Sequence, residues 1–355
     1  MNFDRIEKIN EFIRQIFRWA RKPWLEASAR IRGRRFYCGA LAGRSCYNIC
    51  INSDMTVSCN CRDNDGSGHI GDLSVQTLEE VFAGETADRF RRTLARGRLP
   101  IPTCCSCPEL CQVSPPEAEK QIAAHQMPVE GLMVENTIAC NYHCASCSRA
   151  EVRRIRRKMA LSDQDVQVIS QTIKQHRIKQ VSLFNLGEPF SSPNILRHLR
   201  IIRSENPEVR IIISTNGALL NTAEKREAAL LADHLIFSID GVDNPTLTRY
   251  QRGGDFARAY ANMEAVVRLR DSQTGRNPLI EWKYVVFNWN DRRWMIEKAV
   301  ELARKAQVDL VSFWPTRVPI YGISWRYYLK GYLKDLGDAC WKGREVRIRP
   351  AQGRK

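Results

Sequence analysis

From residue 131 onward, apolar and polar positions alternate in a pattern that predicts strands separated by helices. Six short apolar runs predict buried strands at residues 132–138, 180–185, 209–214, 234–239, 279–287 and 308–314. Amphipathic stretches predict the intervening helices at residues 162–175, 194–204, 223–231, 256–269 and 293–305. Strands that alternate with helices in this way predict an α/β fold with a parallel sheet, closed or partly closed by right-handed crossovers.

The N-terminal segment, residues 1–35, shows a helical pattern of a different kind. Ile6, Ile9, Ile13 and Ile16 recur at three- and four-residue steps, and arginine and lysine occupy the other side. Such a basic amphipathic helix can lie on an anionic membrane surface. The alternative is a helix packed on the protein itself or on a second subunit. No apolar run approaches the roughly 20 residues that cross a bilayer, so we expect a cytoplasmic protein with at most peripheral contact with the inner membrane surface.

Residues 36–112 form a cysteine-rich segment with mixed signals. Alternating residues around Asn52, Ser53 and Asp54 predict a strand pair, and a helical run begins at Thr77. Residues 113–130 contain three prolines and predict a linker. We therefore expect a small α+β domain ahead of the strand and helix series, which occupies residues 131–318.

The C-terminal tail, residues 319–355, is aromatic and basic. Interleaved aromatic and basic residues can stack on single-stranded nucleic acid, but a lid or a packed edge is the favoured interpretation because no RNA-binding motif accompanies them. Cys340 stands alone in this tail. It is a candidate buried thiol, late metal ligand or hydrogen-atom donor.

Composition and charge narrow the class of protein. Hydrophobic residues make up 43% of the chain and charged residues 26%, as in ordinary soluble proteins. The net charge of +16 favours anionic partners such as nucleic acid, anionic lipid, a phosphorylated sugar or an acidic peptide. Thirteen clustered cysteines without a secretory signal predict a reducing compartment in which thiolates bind metal.

The most informative motif is the C-x3-C-x2-C series of Cys140, Cys144 and Cys147. Three thiolates on one short loop can hold three irons of a cubic iron–sulfur cluster and leave the fourth iron open. A zinc knuckle with His143 as a further ligand is the main alternative. A disulfide staple would need an oxidising compartment.

With the motifs that follow it, this series resembles the radical S-adenosylmethionine (radical SAM) family. Three further motifs each follow a predicted strand: Leu186-Gly187-Glu188-Pro189, Ser214-Thr215-Asn216-Gly217 and Ser238-Ile239-Asp240-Gly241. The resemblance implies a partial (β/α)6 TIM-like barrel, a 4Fe-4S cluster on the three cysteines and S-adenosylmethionine on the open iron. It also implies an external electron donor such as flavodoxin or ferredoxin.

The resemblance further implies which residues contact the cofactor. Gly187, Glu188 and Pro189 match the motif that supports the methionyl amino group, although Leu186 replaces the usual first glycine. Asn216 corresponds to a contact with ribose or carboxylate, and Arg252 is a candidate partner of the methionyl carboxylate. The remaining expected contacts are Tyr142 against adenine and the strand-end residues Ser214, Ser238 and Asp240.

The order of cysteines, hairpin and helix in residues 36–112 resembles the auxiliary-cluster modules called SPASM or twitch, although such modules usually follow the barrel. By spacing, the candidate ligands of one auxiliary iron–sulfur cluster are Cys46, Cys59 or Cys61, Cys104 and Cys107. Cys111, together with Cys38, Cys50 and Cys105, provides enough thiols for a second cluster. A zinc ribbon is the alternative, since C-x-C with C-x2-C also suits tetrahedral zinc.

Together these features predict a radical SAM oxidoreductase that abstracts hydrogen from a substrate C–H bond. The expected reaction is oxidation or epimerisation of an anionic sugar or glycan-type substrate, with the auxiliary cluster as electron acceptor or substrate anchor. A maturase acting on an acidic peptide is the runner-up. A metal-containing nucleic-acid-binding protein is the alternative from another class, and nucleic acid is the least favoured partner.

Overall fold

The structure, a computed structural model, describes residue 16 and residues 19–273, 277–330, 338–340 and 343–349, without the side chains of 329–330, 338–340 and 343. The chain divides into two compact units. Unit 1 comprises Met1–Ala139, Ser148–Gly187 and Arg200–Arg210, and unit 2 comprises Cys140–Cys147, Glu188–Leu199 and Ile211–Lys355. Residues 1–15, 17 and 18 of the predicted N-terminal helix lie outside the described residues, but residues 19–31 are helical and form α1.

Unit 1 begins with two small β elements. Strand β1 (Arg35–Cys38) pairs antiparallel with β5 (Leu110–Val113), and β2 (Cys50–Ile51), β3 (Thr56–Ser58) and β4 (His69–Asp72) form an antiparallel meander. The β2–β3 pair confirms the predicted hairpin.

Two further predictions for this region change in detail. The helical run from Thr77 is two helices, α2 (Leu78–Ala83) and α3 (Glu85–Ala95), separated at Gly84. Thr77 and Glu80 form a capping box that fixes the start of α2. The predicted linker contains helix α4 (Pro115–Ala123), because a proline at the first helical position lacks only an N–H that would have no partner there.

The meander continues into the parallel sheet of unit 1. Strand β2 pairs in parallel with β6 (Leu132–Val134), which pairs in parallel with β7 (Gln180–Leu183). The helices α5 (Arg149–Ile155) and α6 (Asp163–His176) lie between β6 and β7 along the chain, and α7 (Ile195–Glu205) follows β7. The cysteine-rich segment and the first parallel strands therefore share one hydrogen-bonded sheet, in the order β4, β3, β2, β6, β7.

Unit 2 carries the later strands. Three consecutive parallel pairings join β8 (Arg210–Thr215), β9 (His234–Ser238), β10 (Leu279–Val286) and β11 (Leu310–Pro315). Strand β13 (Gly343–Arg347) adds antiparallel to β11, and β12 (Asp338–Cys340) pairs with β13. The helices of this unit are α8 (Ala223–Leu230), α9 (Asn244–Leu247), α10 (Phe256–Asp271), α11 (Arg293–Ala306) and α12 (Trp325–Lys330).

Alternation along the strands separates a packed face from an open face. On β9, Leu235 and Phe237 are fully buried, whereas His234, Ile236 and Ser238 are partly exposed. All six predicted strands and all five predicted helices are present. The α/β class is thereby confirmed, and the parallel strands with crossover helices are consistent with an open partial barrel. Among the described residues, no helix is long and apolar enough to span a membrane.

Candidate active site at the cysteine loop

The C-x3-C-x2-C series lies on the loop Cys140–Cys147 of unit 2. Tyr142 and Ala145 are buried at 2% and 0% exposure, and they anchor this loop, whereas Cys140, Cys144 and Cys147 are each partly exposed. The apolar side chains therefore hold the loop while the three thiols remain accessible.

Backbone hydrogen bonds fix the cysteine loop against the segment that contains Arg252. His143 N donates to the carbonyl of Arg252 at 2.9 Å, and Ala145 N donates to the carbonyl of Tyr250 at 2.8 Å. Main-chain bonds do not depend on side-chain rotamers, so they position the thiols without using any group that a cofactor needs.

Gln251 supports this segment and was not predicted. Its Nε2 donates to the carbonyl of Ser238 at 2.8 Å, and its Oε1 accepts from Asp240 N at 3.0 Å. The side chain is only 4% exposed. Gln251 thus ties the carboxyl end of β9 to the segment that holds the cysteines. The sequence gives no signal for it beyond its place beside Arg252.

Tyr142 has a supporting position in the loop. Its hydroxyl accepts from Asp255 N at 3.5 Å, and a Cβ added at Gly254 would lie 3.4 Å from the tyrosine Cζ. Burial raises the pKa of Tyr142 to about 12, so the ring is neutral at physiological pH. Ser146, just before the third cysteine, has a φ of 66°, a left-handed conformation that turns the chain toward Cys147.

Glu188 is a buried carboxylate at the start of a short 3₁₀ turn. Its Oε1 accepts from Phe190 N at 3.2 Å and from the hydroxyl of Thr215 at 2.7 Å, and its Oε2 accepts from Asn216 N at 2.8 Å. Burial raises its pKa, and these three donors act in the opposite direction. Three fixed donors therefore hold this carboxyl group in place at the carboxyl end of β8.

Asn216 connects this carboxylate to the cysteine loop. Its Nδ2 donates to Asn141 Oδ1 at 2.9 Å and lies 3.9 Å from the sulfur of Cys140.

Gly187 is the last residue of one segment of unit 1. A Cβ added at Gly187 would fall 1.8 Å from the carbonyl oxygen of Thr137. Only glycine permits that close approach of two backbone segments. Pro189 opens the 3₁₀ turn that follows.

The open face of the sheet in unit 2 carries further polar groups. Ser214 and Ser238 are partly exposed there, and Lys283 stands in register with Ser238 on the next strand. Lys283 Nζ lies 4.3 Å from the ring centroid of Trp314. Burial raises the pKa of Asp240 to about 6, and an N–H from Val285 and the charge of Lys283 oppose the rise. Burial lowers the pKa of Lys283, while Asp240 and Glu281 act against it.

Four cysteines of unit 1 surround one cavity. Cys59, Cys104 and Cys107, three of the predicted auxiliary ligands, line it together with Cys38, which spacing suggested only for a second cluster. Cys46, Cys61 and Cys111 do not line this cavity. Burial raises the pKa of all four lining thiols, to about 11 for Cys104 and about 12 for Cys107, so they are neutral until a metal displaces their protons.

The thiols of the cysteine loop suit an iron–sulfur cluster better than a single metal ion. The loop Cys140–Cys147 offers three thiols on a braced backbone, which suits a cluster with one open iron. Across the described part of the chain, no three His, Cys, Asp or Glu side chains lie close enough together to hold a single metal ion. A four-iron cluster holds its thiolates further apart than one ion does, so that finding does not bear on a cluster. Cys340 lies at the end of β12, and its side chain is outside the described residues.

One family model matches the part of the chain that contains the cysteine loop. Residues 135–280 match the model of the Radical SAM superfamily. The FeMo cofactor biosynthesis protein NifB of Frankia alni is 27% identical over 188 residues, which cover 47% of this chain and 36% of that protein. The chain therefore matches only about a third of the length of this relative.

Solved structures similar to this chain share low identity with it. Native anSMEcpe with bound AdoMet has a TM-score of 0.39 at 14% identity, over 51% of this chain and 50% of that one. BtrN in complex with AdoMet and 2-DOIA has a TM-score of 0.30 at 17% identity, over 43% and 55%. Methylornithine synthase (PylB) has a TM-score of 0.38 at 13% identity, over 70% and 66%.

The match to the Radical SAM superfamily covers residues 135–280, the part of the chain that contains the cysteine loop. The cofactors that this match implies are a 4Fe-4S cluster, which Cys140, Cys144 and Cys147 would hold, and S-adenosylmethionine; when bound, they would together supply a 5′-deoxyadenosyl radical.

Proposed function

We propose that the protein is a radical SAM oxidoreductase that oxidises or epimerises a carbon centre of an anionic sugar or glycan-type substrate. The observation that carries the proposal is the cysteine loop itself, three accessible thiols held by main-chain bonds to residues 250 and 252. Such a loop keeps a cluster in place while its open iron stays available to a ligand.

In this proposal the strand ends around the cysteine loop bind S-adenosylmethionine. Glu188 contributes negative charge that favours a cationic amine, and Asn216 orients the loop at Cys140. The other proposed contacts are Tyr142, Gly187, Pro189, Ser214, Ser238, Asp240 and Arg252. Glu188 already accepts three hydrogen bonds. Its proposed role is therefore to hold the backbone at residues 190 and 216 and to supply charge near the methionyl amino group, in addition to any direct contact with that group.

An anionic substrate is supported by the polar face of unit 2. Lys283 presents a cation on this face beside Ser238, and the ring of Trp314 lies next to the ammonium group. Cations beside hydroxyl groups suit the phosphate or carboxylate and the hydroxyls of a modified sugar. The net charge of +16 acts in the same direction by attracting anions to the protein.

The N-terminal thiols are proposed to hold an auxiliary cluster that takes an electron from the substrate or anchors it. Loss of that electron together with a proton completes an oxidation, whereas epimerisation requires a second hydrogen atom from a donor such as the thiol of Cys340. Cys340→Ala distinguishes these routes. An unchanged product excludes the donor role, and accumulation of an oxidised product supports it.

Anaerobic reconstitution with iron and sulfide tests the core of the proposal. With a strong reductant, the protein should release 5′-deoxyadenosine from S-adenosylmethionine, and Cys144→Ala should not. Mass spectrometry of small molecules from cells that express either form should then reveal the substrate. Tight, salt-sensitive RNA binding without 5′-deoxyadenosine release would instead favour the nucleic-acid-binding alternative.

A further inference from the structure

The cavity in unit 1 has a wall that combines thiols with apolar side chains. Four of its ten lining residues are cysteines. Phe90 and Leu94 of α3 supply part of the apolar wall, at 6% and 1% exposure. No three of these thiols lie close enough together in the described part of the chain to hold a single metal ion such as tetrahedral zinc. We call this cavity the four-thiol chamber, formed by Cys38, Cys59, Cys104 and Cys107.

Secondary structure explains why Cys38 belongs to the chamber and Cys111 does not. In the β1–β5 ribbon, Cys38 is paired with Leu110, and both line the cavity. The next pair along the ribbon is Tyr37 with Cys111. Successive side chains on a strand point to opposite faces, so Cys111 is directed away from the chamber and interacts with the hydroxyl of Tyr37.

Each sulfur of the chamber also receives an N–H donor. The main-chain N–H groups of Leu41, Ile101 and Glu109 donate to Cys38, Cys104 and Cys107 respectively. The side-chain Nδ2 of Asn60 lies 3.5 Å from the sulfur of Cys59 as its donor. Hydrogen bonds to cysteine sulfurs stabilise thiolates and set the reduction potential of iron–sulfur clusters.

A buried cation lies beside these thiols. Arg91 is 5% exposed, its Nε donates to the carbonyl of Leu41 at 2.9 Å, and its Nη2 has no hydrogen-bond partner within the described part of the chain. A negative charge on Cys38 favours the charged form of Arg91. A buried guanidinium without an acidic partner is costly unless negative charge is nearby. Four thiolates would supply that charge.

We propose that the four-thiol chamber binds a 4Fe-4S cluster ligated at all four irons by Cys38, Cys59, Cys104 and Cys107, with Arg91 compensating its charge. Complete ligation leaves no iron open to substrate. Within the proposed function, on which this role depends, the cluster therefore transfers electrons and does not anchor the substrate. The binding itself does not depend on that function.

The test uses the full chain with Cys140, Cys144 and Cys147 all changed to Ala, reconstituted anaerobically. Iron and sulfide analysis should find about four of each per chain. Adding Cys38→Ala or Cys104→Ser should remove or strongly reduce this content, whereas the matched control Cys111→Ala, on the opposite face of the same ribbon, should retain it. Circular dichroism checks that each variant keeps its secondary structure. Cys104→Ser lies on a turn and tests the chamber without altering the ribbon.

Two spectroscopic results complete the test. The electron paramagnetic resonance signal of the reduced cluster should not change when S-adenosylmethionine is added, because no iron is open. Arg91→Met should keep the iron but make the midpoint potential of the cluster more negative, because it removes a positive charge beside the cluster.

The proposal is overturned by zinc as the bound metal, by retention of iron in Cys38→Ala, or by loss of iron in Cys111→Ala. A SAM-perturbed signal overturns complete ligation, and an unchanged potential in Arg91→Met overturns the role of Arg91. Because the readout is metal content in a chain without the SAM-cluster cysteines, it is independent of catalytic turnover.

Discussion

Gln251 gives the sharpest test of how the fold holds the cysteine loop. Gln251→Leu keeps the side-chain volume but leaves the carbonyl of Ser238 and the N–H of Asp240 without their buried partners. Each such loss costs about 1–3 kcal/mol, so we expect the two together to lower the free energy of unfolding by about 2–6 kcal/mol. With an unfolding entropy of about 2.1 cal/mol/K per residue over 355 residues, that corresponds to a decrease in melting temperature of roughly 3–8 °C.

The same change should also weaken the cluster site. Residues 250 and 252 hold the cysteine loop through their carbonyls, so a loosened segment should release iron to a chelator faster. Anaerobic thermal unfolding followed by circular dichroism measures the first effect, and chelator-trapped iron measures the second. Gln167→Leu, the same substitution on the exposed side of α6, is the control and should change neither. A Gln251→Leu protein within about 1 kcal/mol of the unmodified chain, with unaltered iron release, would refute this reasoning.

Three further changes test separate parts of the structure. Glu188→Gln replaces one acceptor oxygen by an NH₂ group that faces a hydrogen-bond donor. Denaturant unfolding should show that the free energy of unfolding falls by about 1–3 kcal/mol. An unchanged free energy of unfolding would mean that the hydrogen bonds of Glu188 do not stabilise the fold. Burial raises the folded-state pKa of Asp240 to about 6 from 3.8, so the folded protein binds this proton more tightly than the unfolded chain. The contribution of Asp240 to the free energy of unfolding is therefore present at low pH and is lost as pH rises from about 4 to 6, by up to about 3 kcal/mol. Urea unfolding measured across this pH range should show the decline in the unmodified protein and a flatter dependence on pH in Asp240→Asn. The same dependence on pH in both proteins would contradict this account. Arg156→Met removes the cation bound to buried Glu135 at 2.9 Å and should cost about 3–5 kcal/mol, most of it recovered by adding Glu135→Gln. A double variant as unstable as the single one contradicts that account.

Local patterns were sufficient to predict the framework of the fold. The last three parallel strands were predicted at 234–239, 279–287 and 308–314 and are observed at His234–Ser238, Leu279–Val286 and Leu310–Pro315. Strand and helix periodicities are properties of a few consecutive residues, so they can be read without knowledge of tertiary structure. The cysteine loop was predictable for the same reason, since its three thiols lie within eight residues.

The contacts that complete each site depend on residues distant in sequence. Cys38 joins the chamber because β1 pairs with β5 more than 70 residues later, and spacing favoured Cys46 in its place. Gln251 acts through the backbone of Ser238 and Asp240, and no residue type announces such a role. The auxiliary assignment of Cys46, Cys61 and Cys111 remains a prediction.

The parallel pairing of β2 with β6 has a practical consequence for dissecting this protein. A chain shortened to begin near residue 131 would contain all of the residues that match the superfamily, yet β6 would lose the neighbour that shields its hydrogen-bonding edge. Unshielded edges recruit other chains, so such a fragment should aggregate. The N-terminal residues therefore protect this edge of the sheet. A shortened chain should stay monomeric only if it keeps the segment that contains β2.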